Sequence, residues 1–230
     1  MVITEFEYKV PDYIRKWAEE HDVPIVRTPL DFKKIDAEYI IEYSEDRDVS
    51  YLERIWCHSR NIPAVIGETE RLIIKEIGED DIKRYRELIQ MYRRYLKISD
   101  MAGLSFEEFK ERHEAYIRYS YQFLEYGIYG IYLKAEKEKG IIGIAGIDGT
   151  DEPELSYALY PEYREKGYAF EACEYILRYV KENELAGTIH LYTDVSNSRS
   201  FKLGNKLKKV YPELVLHITD PDGKAYEEKE

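Results

Sequence analysis

Apolar positions in the first sixty residues switch between two periods. Val2-Ile3-Thr4 is a short β-branched run, whereas Ile14, Trp17 and Ala18 recur at the spacing of a helix that opens after Pro11. Val23 to Val26 and Tyr39-Ile40-Ile41-Glu42-Tyr43 read as two further strands. Val49, Leu52, Ile55 and Trp56 form the apolar side of a helix over 48–59. Asn61-Ile62-Pro63 reads as a boundary, because proline stops a helix. The order β-α-β-β-α predicts a small Rossmann-like α/β domain over residues 1–66. It carries no GxGxxG and no Walker lysine-serine pair, so no nucleotide site is assigned to it.

A second, longer pattern occupies residues 67–222. Arg71 to Ile77, RLIIKEI, is an apolar run of strand length, and two helices follow. Over 80–97, Ile82, Tyr85, Leu88, Ile89, Tyr92 and Leu96 share one side. Over 105–125 the face runs Phe106, Phe109, His113, Tyr116, Ile117, Ser120 and Leu124. Ser105-Phe106-Glu107-Glu108 opens that helix as a capping box. The stripe reads as core, with His113 a satisfied or exposed histidine rather than a ligand.

Strand patterns then take over. GIYGIYLKA, GIIGIAGID and ELSYALY are separated by Lys139-Gly140 and by Gly149-Thr150-Asp151 with Pro153, which predicts an antiparallel meander. A helix over 167–184 turns Ala169, Ala172, Cys173, Ile176, Leu177 and Val180 inward. A strand over 188–195, a short helix over 197–207 and a last strand over 214–219 complete the order, and residues 223–230 form an acidic tail. The fold class is α/β (α+β), with a mixed, mostly antiparallel central sheet.

Charge narrows the function. Thirty-four Lys and Arg against 46 Asp and Glu give a formal net charge of −12. Such a field repels polyphosphate backbones, so no nucleic-acid partner is expected, and it favours a cationic small molecule or a basic protein segment. Tyrosine, at 23 copies, suits half-buried surfaces, where the ring is covered and the hydroxyl finds a partner. Cys57 and Cys173 lie far apart, with no CxxC and no histidine cluster around them. The expectation is two buried thiols in a reducing compartment and no metal site. MVITEFEYKV lacks the basic and apolar regions of a signal peptide, and no segment approaches the roughly 20 apolar residues of a membrane span. No membrane association and a cytoplasmic location are expected.

One loop carries candidate chemistry. After the strand ending at Leu159, the chain passes through YPEYREKGYAFEA into a helix whose first N–H groups have no intrahelical partner. Those donors and the positive end of the helix dipole suit an anion. Gly167 lets the backbone approach it, and Arg164 and Lys166 add charge. Taken alone, the segment fits an ordinary turn with solvated basic residues at least as well.

The surrounding order shifts that balance. Arg164-x-x-Gly167-x-Ala169, followed by a strand and the Asn197-headed helix NSRSFKLGNKL, resembles the GNAT superfamily of acyl-CoA-dependent N-acyltransferases over about Glu68 to Thr219. Glu68 to Leu72 and Gly167 to Ala172 are similar to the branch containing ribosomal-protein alanine N-acetyltransferases. The amino-terminal third resembles a small α/β segment fused ahead of some bacterial acetyltransferases. The resemblance implies the GNAT fold, with splayed strands ending at Leu159 and near Val195. The pantetheine arm of acetyl-CoA would lie in that gap, along backbone groups of Tyr157, Ala158 and Leu159. Amides of Arg164, Glu165, Lys166, Gly167, Tyr168 and Ala169 would bind the pyrophosphate, and Asn197 would hydrogen-bond the pantetheine. The implied reaction moves an acetyl group to a primary amine, either a small molecule or a protein N-terminus, by direct attack in a ternary complex. A monomer or homodimer would suffice.

The catalytic positions depart from the family. Related amino-terminal acetyltransferases carry an acidic tyrosine where this chain has Gly204 and a glutamate base where it has Tyr192, and Lys208-Lys209 replaces the usual closing Gly-Phe. Ser200 matches the substitute acid of the ribosomal branch and reads equally well as a helix cap. Glu154 is the candidate base, directly or through water, with Asp148 and Asp194 as rivals. Tyr116, Tyr119 and Tyr121 could line an acceptor pocket or simply pack. These departures keep open an acyl-CoA-binding regulatory or partner-docking module that has lost catalysis. A third reading, activity in the amino-terminal layer, has no phosphate motif behind it.

Overall fold

The computed structural model describes residues 2–4, 12–27, 39–40, 49–96 and 101–219. The chain divides into two compact units, Met1–Ala64 and Val65–Glu230. In the first, β1 (Val2–Thr4), α1 (Asp12–Glu20), β2 (Ile25–Arg27), β3 (Tyr39–Ile40) and α2 (Val49–His58) follow in order. The strands pair in parallel as β1-β2-β3, and α1 supplies the crossover that a parallel pair requires. Val26 and Ile55 are its buried centre, with Tyr51 and Leu52 packed on them. Trp17 and Trp56 are 48% and 43% exposed despite their place in the apolar stripes. Trp17 stacks on His21 and the Arg60 guanidinium lies over Trp56. Residues 41–43 of the third expected strand, and the tail at 223–230, lie outside the described residues.

The second unit runs β4 (Val65–Glu68), β5 (Leu72–Lys75), α3 (Ile82–Tyr92), α4 (Phe106–Tyr116), β6 (Ile128–Leu133), β7 (Gly143–Asp148), β8 (Glu154–Leu159), α5 (Tyr168–Glu182), β9 (His190–Asp194), α6 (Ser198–Val210) and β10 (Val215–Thr219). Among the described residues its seven strands are ordered β10-β9-β8-β7-β6-β5-β4. From β4 to β8 the pairing is antiparallel; β8–β9 and β9–β10 are parallel. β4 is additional to the sequence reading. A four-residue run containing Gly67 shows no readable period, and only pairing with β5, through a bulge between Val65 and Gly67, makes it a strand.

Apolar groups cover both faces of this sheet. Leu155, Leu159 and Leu191 pack with Ala172, Cys173 and Ile176 of α5 and Leu207 of α6. On the other face, Ile144 and Ala158 pack with Tyr85, Leu88 and Ile89 of α3 and Phe109 of α4. Cys173 is buried as expected, while Cys57 is only half-buried, and neither is in a disulfide. Ser105 and Glu108 form the expected box at the start of α4, with the Glu108 amide donating to Ser105 Oγ at 3.2 Å and the Ser105 amide to Glu108 Oε2 at 2.9 Å.

Past Tyr116 the winding widens into a π-helical run, Ile117–Leu124. Both Tyr116 and Tyr121 reach Ile128: its N–H donates to the Tyr116 hydroxyl at 2.7 Å, and Tyr121 donates to its carbonyl. Wider winding brings residues five apart toward one side, which ordinary α-winding does not. His113 is a core histidine. Its Nε2–H donates to the Ile77 carbonyl at 2.8 Å, and burial lowers its pKa, which keeps the ring neutral.

Glu171, in the first turn of α5, ties that helix to the β4–β5 turn. Its carboxylate accepts from the Arg71 amide at 3.0 Å, from Arg71 Nε at 2.7 Å and from the Thr69 hydroxyl at 2.5 Å. Burial alone raises its pKa, but these donors outweigh it and hold the carboxyl below the usual range. With the folded pKa below the unfolded one, the stabilisation is present above the unfolded pKa. It is lost as pH falls through the folded value. Glu171→Gln is expected to flatten the acid limb of a Tm-versus-pH curve; an acid limb identical to that of the parent would exclude Glu171 as its source.

Candidate functional site

β8 and β9 pair at one position only, Glu154 with His190. The His190 amide donates to the Pro153 carbonyl at 2.8 Å, and beyond that point the strands part. Ladder parity shows which groups face the opening. The Tyr160 amide donates to the Ile142 carbonyl of the β7 side, so even-numbered residues of β8 exchange bonds with β7 and odd-numbered ones point away. Tyr157 and Leu159 therefore direct their backbone groups into the gap, whereas those of Ala158 belong to the β7 ladder. The Leu159 carbonyl is already taken, by the Tyr92 hydroxyl at 2.5 Å and by Arg164 Nε at 3.4 Å. That leaves the Leu159 N–H and both Tyr157 groups on a strand edge with no strand partner among the described residues.

At the end of the gap, the loop from a short 3-10 turn, Pro161–Tyr163, climbs to α5. Gly167 is the N-cap with φ 85°, a left-handed conformation that glycine adopts without strain, and no side chain caps the helix. Glu165 is also left-handed, at φ 62°. Backbone of this kind turns successive N–H groups toward a concavity that suits an anion, and the helix dipole adds to it. Arg164 departs from its expected part: its amide donates to the Pro161 carbonyl at 3.3 Å, and its guanidinium is turned onto the Tyr92 ring and hydroxyl. It braces the loop from within. The Glu165 carboxylate is drawn off by Arg199 Nε at 2.7 Å, an exposed pair of small energetic weight. Lys166 lies over the Tyr163 ring, and its carbonyl accepts from Arg71 at 2.9 Å.

Across the gap stands the first turn of α6. Asn197 caps it, its Oδ1 accepting from the Ser200 amide at 3.3 Å, so its Nδ2 end is the group suited to donate to a ligand. The capping role that Ser200 could have had thus falls to Asn197. The Ser200 hydroxyl has a different partner: Tyr157 Oη donates to Ser200 Oγ at 2.8 Å, linking β8 to α6 across the opening. Burial raises the Tyr157 pKa, which keeps that phenol protonated. With an acceptor bond filled, the Ser200 hydroxyl is oriented to give its own hydrogen. Sequence reading valued Tyr157 for its backbone alone; its side chain emerges from the β8–α6 contact.

Gly204 explains the missing tyrosine. A Cβ there would stand 2.9 Å from Leu216 Cδ1 and 3.3 Å from Leu191 Cδ2, because α6 is pressed onto β9 and β10. Gly204→Tyr is therefore expected to lower stability, by about 1–3 kcal/mol for overpacking of this kind, rather than supply an acid. A melting temperature at or above that of the parent would contradict this packing.

The acid–base candidates lie on the opposite face of the sheet from α5. Leu155 and Leu159 face α5, so Glu154 points to the other side, in register with Asp148 of β7 and His190 of β9. Glu154 is half-buried and close enough to Tyr192 to influence its hydroxyl. Asp194 is committed locally, Oδ1 accepting from the Ser196 amide at 2.6 Å. Tyr192 donates to Glu152 at 2.7 Å; chiefly through that bond its pKa is pushed up to about 12, so it is a neutral phenol, not a base. Of the three tyrosines weighed for an acceptor pocket, Tyr116 and Tyr121 are bound to Ile128, and Tyr119 is exposed, stacked on Phe123.

Comparison with known proteins agrees with this geometry. A family model described as Acetyltransferase (GNAT) domain matches residues 71–208. No curated protein matches the sequence. RimL, a ribosomal alpha-N-protein acetyltransferase, is similar in its apo form at a TM-score of 0.52 and 12% identity, over 64% of this chain and 81% of that one. Its complex with coenzyme A gives a TM-score of 0.51 at 13% identity, over 62% and 81%. An acetyltransferase from Agrobacterium tumefaciens is 22% identical over 61% of this chain and 81% of its own, with a TM-score of 0.49. Among the described residues no helix is long and apolar enough to cross a membrane. With its family model spanning β5 to α6, and with parted β8 and β9 between an open helix start and Ser200, the chain belongs to the GNAT acetyltransferases and is an N-acetyltransferase.

Proposed function

We propose that the chain takes acetyl-CoA into the gap between β8 and β9 and passes its acetyl group directly to a primary amine held on the Glu154 side of the sheet. The reading rests on the single Glu154–His190 pairing, which leaves a strand edge free beside an uncapped helix and a bonded serine hydroxyl. Pantetheine amides would pair with Tyr157 and the Leu159 N–H as a strand does, and the amides from Glu165 to Ala169 would bind the pyrophosphate. Asn197 Nδ2 would donate to the pantetheine.

An ammonium cannot attack a thioester, so it must first lose a proton, to Glu154 directly or through water. The amine nitrogen then adds to the thioester carbonyl carbon. The C–N bond forms, the C–S bond breaks, the nitrogen sheds a second proton to water and the departing thiolate takes one from Ser200. Water restores the Ser200 proton, with Tyr157 as the relay bonded to it. Placement in a ternary complex supplies much of the rate. The facing carboxylates of β7 and β8, Asp148 and Glu154, suit a protonated amine, whether a small molecule or a protein N-terminus.

Acetyl-CoA is expected to raise the melting temperature, and a free-thiol release assay over a panel of amines should show turnover with at least one. No thermal shift at saturating acetyl-CoA would remove the proposal. Stabilisation with silence across a broad panel would favour a regulatory acyl-CoA sensor instead.

A further inference from the structure

Three side chains outside the acetyl-transfer machinery converge at the closed end of the cleft. Glu152 lies in the β7–β8 turn, His190 opens β9 and His217 is central in β10. Their ligand atoms lie within 4.8 Å of one another. His190 Nδ1 is 2.8 Å from His217 Nε2 and 3.6 Å from Glu152 Oε1. Sequence spacing gave no sign of this, and the expectation was of no metal site. The two histidines stand 27 positions apart. Two pairings assemble the set: parallel register places His217 opposite Tyr192, putting it on the same face as His190, and the His190–Pro153 bond holds the turn with Glu152 alongside.

We infer that Glu152, His190 and His217 form a binding site for one divalent transition-metal ion of the zinc class. Zinc bonds to imidazole nitrogen and carboxylate oxygen run about 2.0–2.2 Å, which puts tetrahedral ligand atoms roughly 3.3–3.5 Å apart. The two observed separations bracket that value and the third pair lies within 4.8 Å, so side-chain adjustment on the order of an ångström closes the site. Two imidazole nitrogens face each other at 2.8 Å, a spacing at which both cannot carry a proton; a metal accepts both lone pairs at once. An N2O donor set suits zinc or cobalt and disfavours calcium and magnesium, which require oxygen cages.

Supporting contacts are also in place. The Tyr192 hydroxyl donates to Glu152 at 2.7 Å and its ring stacks on His217 at 4.3 Å, orienting one ligand of each kind. Glu152 is exposed and both histidines half-buried, which gives an ion a path in and water a fourth position. An ion here would join the β7–β8 turn, β9 and β10, and so pin the end from which β8 and β9 diverge.

The test uses the full chain, without a histidine tag and stripped with chelator, titrated with Co²⁺. One equivalent is expected to give the visible absorption of four-coordinate cobalt, displaced by Zn²⁺, with Zn²⁺ but not Mg²⁺ raising the melting temperature. Tyr192→Phe, which leaves the ligands intact, should weaken Zn²⁺ binding by about 10–100-fold, and His217→Ala by more. Circular dichroism checks the fold of each variant. No saturable binding, or equal binding by parent, Tyr192→Phe and folded His217→Ala, would overturn the site. Metal binding is read without acetyl transfer, so its failure leaves the transferase assignment standing.

Discussion

Gly167→Asp is expected to abolish coenzyme A binding while leaving the chain folded. A Cβ on Gly167 meets only Arg71 Nη2 at 3.2 Å, the far end of a flexible side chain. The left-handed φ of 85° costs Asp about 1–2 kcal/mol, at the tolerant end of the L-residues. Asp is also a favoured N-cap, so its carboxylate can bond to the first amides of α5 and offset part of that strain. The same bonds plug the anion seat, and the new charge repels a diphosphate. Each charge-assisted hydrogen bond lost is worth about 1.5–3 kcal/mol, so two of them amount to roughly 100-fold or more in affinity. Calorimetric titration of the folded variant decides the matter: unchanged affinity would move the diphosphate away from α5.

Ser200→Ala is expected to lower maximal turnover by about 10²–10⁴-fold, the range for loss of a positioned proton donor, with coenzyme A affinity nearly unchanged. The split is expected because Asn197 caps α6 through the Ser200 backbone amide, which alanine keeps. Tyr157→Phe should produce a smaller loss of the same kind, since it removes only the 2.8 Å bond that orients Ser200. Ser200→Thr, which restores a hydroxyl, should recover part of the rate. Steady-state kinetics over a saturating amine would show this. An unaltered maximal rate in Ser200→Ala would dismiss the serine as acid and leave solvent to protonate the thiolate.

These two positions differ in how they could be found. Gly167 was visible in the chain only through the order of elements around it, because a glycine in a strand-to-helix turn fits an ordinary bend at least as well. Ser200 was visible only as one of two readings, acid or cap; Asn197 Oδ1 takes the cap, and the acid remains the role proposed for Ser200. The Tyr157 hydroxyl, the inward turn of Arg164 and the backbone pairing of Ala158 with β7 had no local signal. Each is set by a contact between segments distant in the chain: β8 with α6, the loop with α3, and β7 with β8. The π-helical run after Tyr116 was likewise hidden, since the apolar stripe there fits ordinary helical spacing until two tyrosines must reach one residue of β6.

What the sequence determined alone were the properties carried by neighbours in the chain. Alternation and three-to-four spacing placed the helices and most strands, the Ser105–Glu108 box placed a helix start, and the loop motif named the family, because side-chain periods and cap chemistry act over a few residues. Tertiary structure decided which groups stay free and which are spent. A hydrogen-bonding group is satisfied by whatever lies beside it in space, so the open edge of β8, the bonded Ser200 and the Glu152–His190–His217 cluster exist only once strand register is set.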